Sequence, residues 1–208
     1  MTDFIYEKCG KAKVVFTSRI GGVSLAPYDS LNVGTHVGDD LVLVEKNRDS
    51  LFGSLDLPKG IFLRQTHCNN IFDVDNDEYD QEFPPEADAS ISKESNKVLV
   101  SMIADCGPLV LSCGEVVATV HASAKTVCQG LIEKTITAIR EKDNVSPIHG
   151  LLGPCIHPEN YEYDGKHLEE MVMILGEHVR GTTLNGMPAF DLPAAIKFEC
   201  EKFGVSFN

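Results

Sequence analysis

Two strand-forming runs separated by only two residues constrain the fold of this chain more than any other feature. The runs are LVLSC (109–113) and VVATV (116–120), and residues 114–115 between them are Gly-Glu. A two-residue glycine-containing connection between β-prone runs predicts an antiparallel hairpin. Because helical patterns occur elsewhere in the chain, the hairpin argues against a purely parallel sheet and indicates a mixed α/β protein.

The register of this hairpin brings a thiol and an imidazole together at one sheet edge. Counting outward from the turn places His121 opposite Pro108, and Cys106 lies two residues beyond Pro108. Residues two apart share a face, so Cys106 and His121 are diagonal neighbours, about 7–8 Å apart between backbones. His67 ends another predicted strand, IFLRQTH (61–67), and is the natural third member of the group.

Such a group of side chains fits three kinds of site. Together with His67 it could be a zinc site with three protein ligands and one open position, as catalytic zinc sites have. Alternatively, Cys106 could be a nucleophile with His121 as its base, without metal. In the third interpretation Cys106 is a small core residue and His121 a structural histidine, since the spacing is not itself a known metal signature.

Sequence periodicity predicts the remaining elements. Further strands are expected at 13–18, 61–67, 97–106 and from 151, and helices at 41–55, 123–142, 166–179 and 192–203. Asp39 or Asp40 is the expected N-cap of the first helix, and Asp191 that of the last. Gly107-Pro108 is expected to interrupt the apolar run before the hairpin. The long loop 18–40 is rich in Gly, Ser and Asn, and loops of this length are often functional.

Charge and cysteine usage restrict location and partners. The formal net charge is −13, which repels nucleic acid and anionic membranes. MTDFIYEKCG lacks the pattern of a secretory signal, and no apolar run reaches the ~18 residues of a spanning helix. The seven cysteines form no CxxC pair, which fits a reducing compartment. We expect a soluble cytoplasmic protein, a monomer or weak homo-oligomer, with neither nucleic acid nor membrane as partner.

A series of short phrases resembles one protein family along most of the chain. TSRIGGVS, PYDSLNVGTHVGDD, RQTH, EADASIS, MIADC, ATVHAS and LLGPCIHPENYEYD follow in the order of the YfiH family, over roughly residues 14–165. That family has been called multicopper polyphenol oxidoreductase (laccase-like) and purine nucleoside phosphorylase. The resemblance implies one α/β domain over residues 1–208 with layered α-β-β-α architecture and mixed sheets. That fold is similar to the cytotoxic-necrotizing-factor-like cysteine hydrolases.

The resemblance also implies a site and an activity. The family's metal ligands, in its Q-x-H, A-D-C and H-A phrases, fall on His67, Cys106 and His121. They imply a zinc-dependent purine nucleoside phosphorylase that also deaminates adenosine, with adenosine, inosine and methylthioadenosine as nucleosides. Asp105 is the carboxylate beside the site, and we expect it either to move protons or to support the ligands.

Five further residues are predicted to contact the nucleoside or the phosphate. Arginine forks suit phosphate, which favours Arg19 and Arg48, although a surface ion pair is the alternative role of Arg48. Asn32 and His36 belong to the matched loop. Where the family reads H-A-G-W-R-G this chain reads H-A-S-A-K-T, so Lys125 replaces an arginine. The chain has no tryptophan and ends before the family's closing phrase, which predicts a divergent, C-terminally short member.

The alternatives to a zinc enzyme predict different chemistry. A cysteine hydrolase or amidase using Cys106 and His121 predicts a thiol of low pKa that is alkylated without metal. A non-enzymatic metal-binding protein predicts four protein ligands. Cys68 would be the fourth, although strand alternation points it away from His67. A copper-dependent polyphenol oxidase is least favoured, because one site lacks the several coppers that four-electron oxygen reduction requires.

Overall fold

A six-stranded mixed sheet forms the centre of the protein in a computed structural model that describes residues 4–207. The strands are β1 (Phe4–Cys9), β2 (Ala12–Thr17), β3 (Ile71–Asp73), β4 (Ala89–Ser92), β5 (Gly107–Cys113), β6 (Val116–Ala122), β7 (Ile148–Leu152), β8 (Arg180–Thr182), β9 (Pro188–Phe190) and β10 (Ser206–Phe207). The helices are α1 (Leu41–Leu55), α2 (Ala124–Cys128), α3 (Leu131–Lys142), α4 (Gly165–Leu175) and α5 (Leu192–Glu201). The sheet order is β10-β7-β5-β6-β4-β3, and β1-β2 and β8-β9 form separate antiparallel pairs.

The predicted hairpin is confirmed as β5-β6, with the predicted register. Cys113 pairs with Val116 and Pro108 with His121. Gly114 adopts φ +58, which a glycine turn permits at little cost. The expected interruption at Gly107-Pro108 is wrong, since both residues belong to β5. Proline is tolerated there because it stands at the start of the strand.

The two faces of the central sheet have different neighbours. Alternate residues of β5 and β6, such as Leu109, Leu111 and Val120, pack against α2, α3, α4 and α5 in the main core. The opposite face is covered around Val110 by the β1-β2 hairpin. His121 alternates with Val120 and therefore lies on the face away from the helices. The site is thus on the face of the sheet opposite the main core.

Two predicted strands, 61–67 and 97–106, are wrong. The segments run side by side but share only an Ile61–Leu99 bridge instead of a ladder. At Gln65, side-chain hydrogen bonds take the place of backbone pairing between the two segments. The side-chain amide of Gln65 donates to Met102 O and accepts from Met102 N–H, both at 2.8 Å. Side-chain bonding of this kind satisfies an extended backbone without making it a strand.

The predicted helix 123–142 is divided into two, α2 and α3. Gly130 between them has φ +75, a conformation that ends α2 and redirects the chain. Helices α1 and α5 are confirmed, and their caps are Asp40 and Asp191, whose side chains accept from Val42 N–H and Ala194 N–H. Strands β1, β3, β4, β8, β9 and β10 were not predicted, because short strands give little periodicity.

The long loop 18–40 is ordered by two buried residues of α1. Asn47 donates to Ser24 Oγ and to the Asn32 carbonyl, and its own oxygen accepts from Val23 N–H. Arg48 donates to the carbonyl of Val33 at 2.9 Å. The Asn-Arg pair of the sequence therefore acts as an anchor for the loop.

The mixed α/β class is confirmed, while the finer α-β-β-α layering stays a prediction. The single-domain prediction over 1–208 also remains open, and residues 1–3 and 208 lie outside the described residues. Among residues 4–207, no helix is long and apolar enough to cross a membrane.

Candidate functional site

Three side chains from separate segments form one potential metal-binding cluster. The ligand atoms of His67, Cys106 and His121 all lie within 4.8 Å of one another. The rings of His67 and His121 meet edge to face, with centroids 4.8 Å apart. No other group of three or more His, Cys, Asp or Glu side chains within residues 4–207 is placed to hold a metal. The prediction that these three residues come together is confirmed.

Each ligand is placed by a different local structure. His121 lies near the end of β6, opposite Pro108, and Cys106 immediately precedes β5 on the same face. His67 follows the segment that Gln65 fixes beside Met102. His67 itself has φ +55, which is rare for a non-glycine residue and common at functional sites. The chain turns sharply there and aims the imidazole at the other two ligands.

His121 is held by a buried carboxylate that sequence reasoning missed. Its Nδ1 lies 2.7 Å from Asp88 Oδ1, and the side chain of Asp88 is fully buried. Burial opposes protonation of His121, but Asp88 and the nearby thiol of Cys106 outweigh it and raise the His121 pKa above its ordinary value. Burial would also raise the pKa of Asp88, yet the hydrogen bonds from His121 and from Cys68 N–H lower it. Asp88 is therefore ionised beside the imidazole at neutral pH.

His67 is the exposed ligand and borders a polar cleft. The cleft has a volume of about 400 Å³ and is lined by Thr66, His67, Cys68, Asn69, Glu86, Lys125 and Gln129. Burial lowers the pKa of His67, and the neighbouring His121 and Lys125 lower it further. His67 is thus favoured in its neutral form, which is the form that binds metals.

The N-terminal cap of α2 fixes the backbone that carries Lys125. Ser123 and Thr126 form a capping box, and Thr126 Oγ1 also donates to the carbonyl of His121 at 3.0 Å. The turn that carries Lys125 is therefore hydrogen-bonded to the backbone of His121, one of the three potential metal ligands. Of the five predicted substrate residues, Lys125 alone lines the cleft.

The other predicted residues occupy different surroundings. Arg19 pairs with Asp29 at 3.0 Å in the exposed loop, and Asn32 donates to Asp39 at 2.9 Å. His36 is exposed. None of the loop residues 18–40 lines the cleft. The structure thus connects this loop to α1, and its contact with substrate stays a prediction.

Arg48 lies in structural surroundings, and its predicted contact with phosphate stays a prediction. The residue is 6% exposed, its guanidinium carbon lies 3.7 Å from the centre of the Phe62 ring, and Glu45 pairs with it at 3.2 Å. The bond from Nε to the Val33 carbonyl and the pair between Nη1 and Glu45 occupy two of the three guanidinium nitrogens. The sequence pattern could not distinguish a phosphate contact from a structural role for Arg48, because both roles require an arginine.

Several neighbours of Cys106 complete the surroundings of the site. Asp105 is exposed, and its carbonyl accepts from Ile156 N–H at 2.8 Å. That bond brings the loop after β7 beside the ligands. Burial raises the pKa of Tyr161 to about 12, with smaller contributions from Tyr163, Cys106 and Asp105. Cys68 is not a member of the metal cluster; its backbone N–H donates to Asp88 at 2.7 Å.

Comparison with known proteins assigns the chain to a family. The model of the family described as multi-copper polyphenol oxidoreductase laccase matches residues 13–208. The chain belongs to this family. Curated relatives of this chain include the purine nucleoside phosphorylase YfiH of Escherichia coli, 40% identical over 162 residues, and a purine nucleoside phosphorylase of Corynebacterium glutamicum, 33% identical over 196 residues. The resemblance to YfiH in the sequence phrases is thereby confirmed.

The matches differ in how much of each related protein they cover. The Escherichia coli match covers 76% of this chain and 64% of the relative, so the chain spans just under two thirds of that protein. The Corynebacterium glutamicum match covers 92% and 79%. Among solved structures, a Neisseria meningitidis protein has a TM-score of 0.85 at 27% identity, covering 98% of this chain and 85% of its own. YlmD of Geobacillus stearothermophilus shares the fold, with a TM-score of 0.81 at 24% identity over 92% of this chain and 78% of its own.

Proposed function

We propose that this protein is a zinc-dependent purine nucleoside phosphorylase that also deaminates adenosine. The observation that supports it most is the convergence of His67, Cys106 and His121 on one point, beside a polar cleft that His67 lines. The chain's relatives are named purine nucleoside phosphorylases. The cytoplasmic location and the monomeric or weakly oligomeric state predicted above belong to this proposal.

The donor set of the cluster fits zinc. Two imidazoles and one thiolate are ligands that zinc accepts, at bond lengths of about 2.0–2.3 Å. Ligand atoms within 4.8 Å of one another need only small side-chain rotations to surround one ion. Three protein ligands leave a fourth position open, as in catalytic rather than structural zinc sites. A zinc ion held there would act as a Lewis acid and make hydroxide available at neutral pH.

The cleft supplies the polar groups that a nucleoside and a phosphate require. Lys125 offers a cation beside His67, while Asn69 and Gln129 offer amides and Glu86 a carboxylate. An ammonium group is a suitable partner for an oxyanion, although it lacks the two-point geometry of arginine. We therefore assign the phosphate to the Lys125 side of the cleft. Asp105, exposed and adjacent to Cys106, is proposed to carry protons at the site.

Two balanced reactions follow. In phosphorolysis a phosphate oxygen bonds to C1′ of the ribose while the bond from C1′ to the purine nitrogen breaks. The bonding pair leaves with the base, which takes up a proton, and the products are free purine and ribose 1-phosphate. In deamination, water adds at C6 of adenosine and the amino group leaves as ammonia, which gives inosine.

Product analysis tests the proposed function. Zinc-loaded protein is incubated with adenosine, with and without phosphate, and the products are separated by chromatography. We expect adenine and ribose 1-phosphate only when phosphate is present, and inosine in both cases. Absence of base release and of inosine at high enzyme concentration would rule the proposal out.

A metal-free cysteine hydrolase is the second candidate, because the thiol of Cys106 lies close enough to His121 to influence its pKa. That arrangement resembles a nucleophile beside its base. Iodoacetamide labelling with and without a chelator separates the two functions. A zinc site predicts that Cys106 is protected until the metal is removed, whereas a catalytic dyad predicts equally fast alkylation in both samples.

The cleft assignment predicts a specific kinetic effect for Lys125. Lys125→Met is expected to raise the KM for phosphate about 10–100-fold, since a lost charge-assisted hydrogen bond is worth roughly 1.5–3 kcal/mol. The KM for adenosine in phosphate-free deamination should change much less. Lys125→Arg keeps the positive charge, so its KM for phosphate should stay close to that of wild type. The control is Lys166→Met, an exposed lysine of α4, which should leave both constants unchanged. Equal KM values for phosphate in all four proteins would contradict the assignment.

A further inference from the structure

One buried carboxylate contacts both histidine segments of the cluster. Oδ1 of Asp88 lies 2.7 Å from Nδ1 of His121. Oδ2 accepts from the backbone N–H of Thr66 at 3.2 Å and from that of Cys68 at 2.7 Å. These two amides flank His67, the residue with φ +55.

We propose that Asp88 is the positioning residue of the metal site, orienting His121 and His67 together through its two carboxylate oxygens. This inference rests on the proposed metal site and does not depend on the substrate. Asp88 touches neither substrate nor metal in this arrangement and acts only through the two histidines.

Oδ1 of Asp88 determines which ring nitrogen of His121 points toward the other two ligands. An ionised carboxylate can only accept, so Nδ1 of His121 must carry its proton toward Asp88. In the neutral form that binds a metal, Nε2 then carries the lone pair, on the other side of the ring. Carboxylates commonly orient metal-binding histidines in this way. The backbone adds a second link, because His121 N–H donates to the carbonyl of Asp88 at 2.7 Å.

The second oxygen stabilises the unusual turn at His67. A left-handed conformation costs a non-glycine residue of order 1 kcal/mol or more, so neighbouring contacts must hold it. Two amides that converge on one buried carboxylate oxygen provide such contacts. The position of the His67 imidazole is therefore set by the same side chain that orients His121, which lies 54 residues further along the chain.

Replacement by asparagine is a sharp test, because every group that faces Asp88 here is a donor. An amide has one acceptor oxygen, so Asp88→Asn can satisfy His121 or the two amides, but not both. If its NH₂ faces His121, the imidazole must accept at Nδ1 and carry its proton on Nε2, the nitrogen needed for metal. If the NH₂ instead faces the backbone N–H groups of Thr66 and Cys68, these lose their acceptor and the turn at His67 is destabilised.

The experiment measures zinc affinity by competition with a chromogenic chelator. Asp88→Asn is expected to bind zinc about 10–100-fold more weakly than wild type, the range typical of an outer-shell partner. The matched control is Asp75→Asn. The carboxylate of Asp75 contacts the opposite end of β4 from Asp88: it accepts from Ser92 Oγ and Lys93 N–H and pairs with Lys142. That change should lower stability and leave zinc affinity unchanged. Equal zinc affinity of Asp88→Asn and wild type would overturn the inference.

Measurements on wild type keep the inference testable if Asp88→Asn does not fold. In the zinc-bound protein, histidine ¹⁵N NMR should show the His121 proton on Nδ1. In hydrogen exchange, the amides of Thr66 and Cys68 should be protected despite their position in a partly exposed segment. Zinc on Nδ1 of His121, or unprotected amides, would refute the positioning role. If wild type binds no zinc, the proposed function fails, and the amide exchange still decides whether Asp88 holds the His67 turn.

Discussion

Replacing Cys106 by serine is expected to remove the bound zinc and to lower the phosphorolysis of adenosine by more than about 100-fold. A serine hydroxyl stays protonated at neutral pH and is a poor zinc ligand, whereas a thiolate binds zinc strongly. Loss of an outer-shell partner already costs about 10–100-fold, so loss of one of three ligands should cost more. Metal analysis and product assays on the same preparation measure the two effects.

Two further variants make this result specific. Cys128→Ser changes another partly buried cysteine, which contacts Met171 and lies outside the cluster, and should keep both zinc and activity. His67→Ala should be as inactive as Cys106→Ser, because His67 is a predicted zinc ligand. A metal-free dyad of Cys106 and His121 predicts instead that His67→Ala retains activity. Stoichiometric zinc in Cys106→Ser would contradict the ligand assignment.

Arg48→Met should destabilise the protein by about 2–4 kcal/mol while leaving the activity of the folded enzyme nearly unchanged. The Val33 carbonyl would lose its buried donor, at about 1–3 kcal/mol, and the cation–π contact with Phe62 would add roughly 0.5–2 kcal/mol. Methionine fills most of the space, which limits the cavity. Urea denaturation monitored by circular dichroism measures the change.

The matched control for Arg48 lies two residues earlier on α1. Lys46→Met also removes a cation from this helix, but the side chain is exposed, so the free energy of unfolding should change by less than about 0.5 kcal/mol. If Arg48→Met were as stable as wild type but had a much higher KM for phosphate, Arg48 would be a substrate contact and its structural assignment would be wrong.

The sequence predicts the hairpin best because its register depends on local information. A two-residue turn leaves a single pairing, and that pairing places His121 opposite Pro108. Helix α1 is equally local, since Asp40 caps it and its apolar residues recur at helical spacing. Where turn and cap residues define an element, the pattern alone is sufficient.

Prediction fails where side chains replace backbone pairing. Residues 61–67 and 97–106 have strand-like composition, but the amide of Gln65 bonds Met102 in place of a ladder. The contact of Asp88 with both histidine segments could not be predicted from the sequence either. Residue 88 lies within an acidic, proline-containing stretch, residues 73–90, whose composition indicates an exposed loop, yet its side chain is buried between two histidine segments. Such long-range pairing leaves no periodic signal in the sequence.

The most direct test of a zinc-dependent nucleoside site is reconstitution of metal-free enzyme. Protein is stripped with a chelator, dialysed, and assayed with adenosine and phosphate while zinc is added in steps. We predict no base release without metal and a linear recovery of activity that saturates at one zinc per chain. Full activity of the metal-free protein, unchanged by added zinc, would contradict the account.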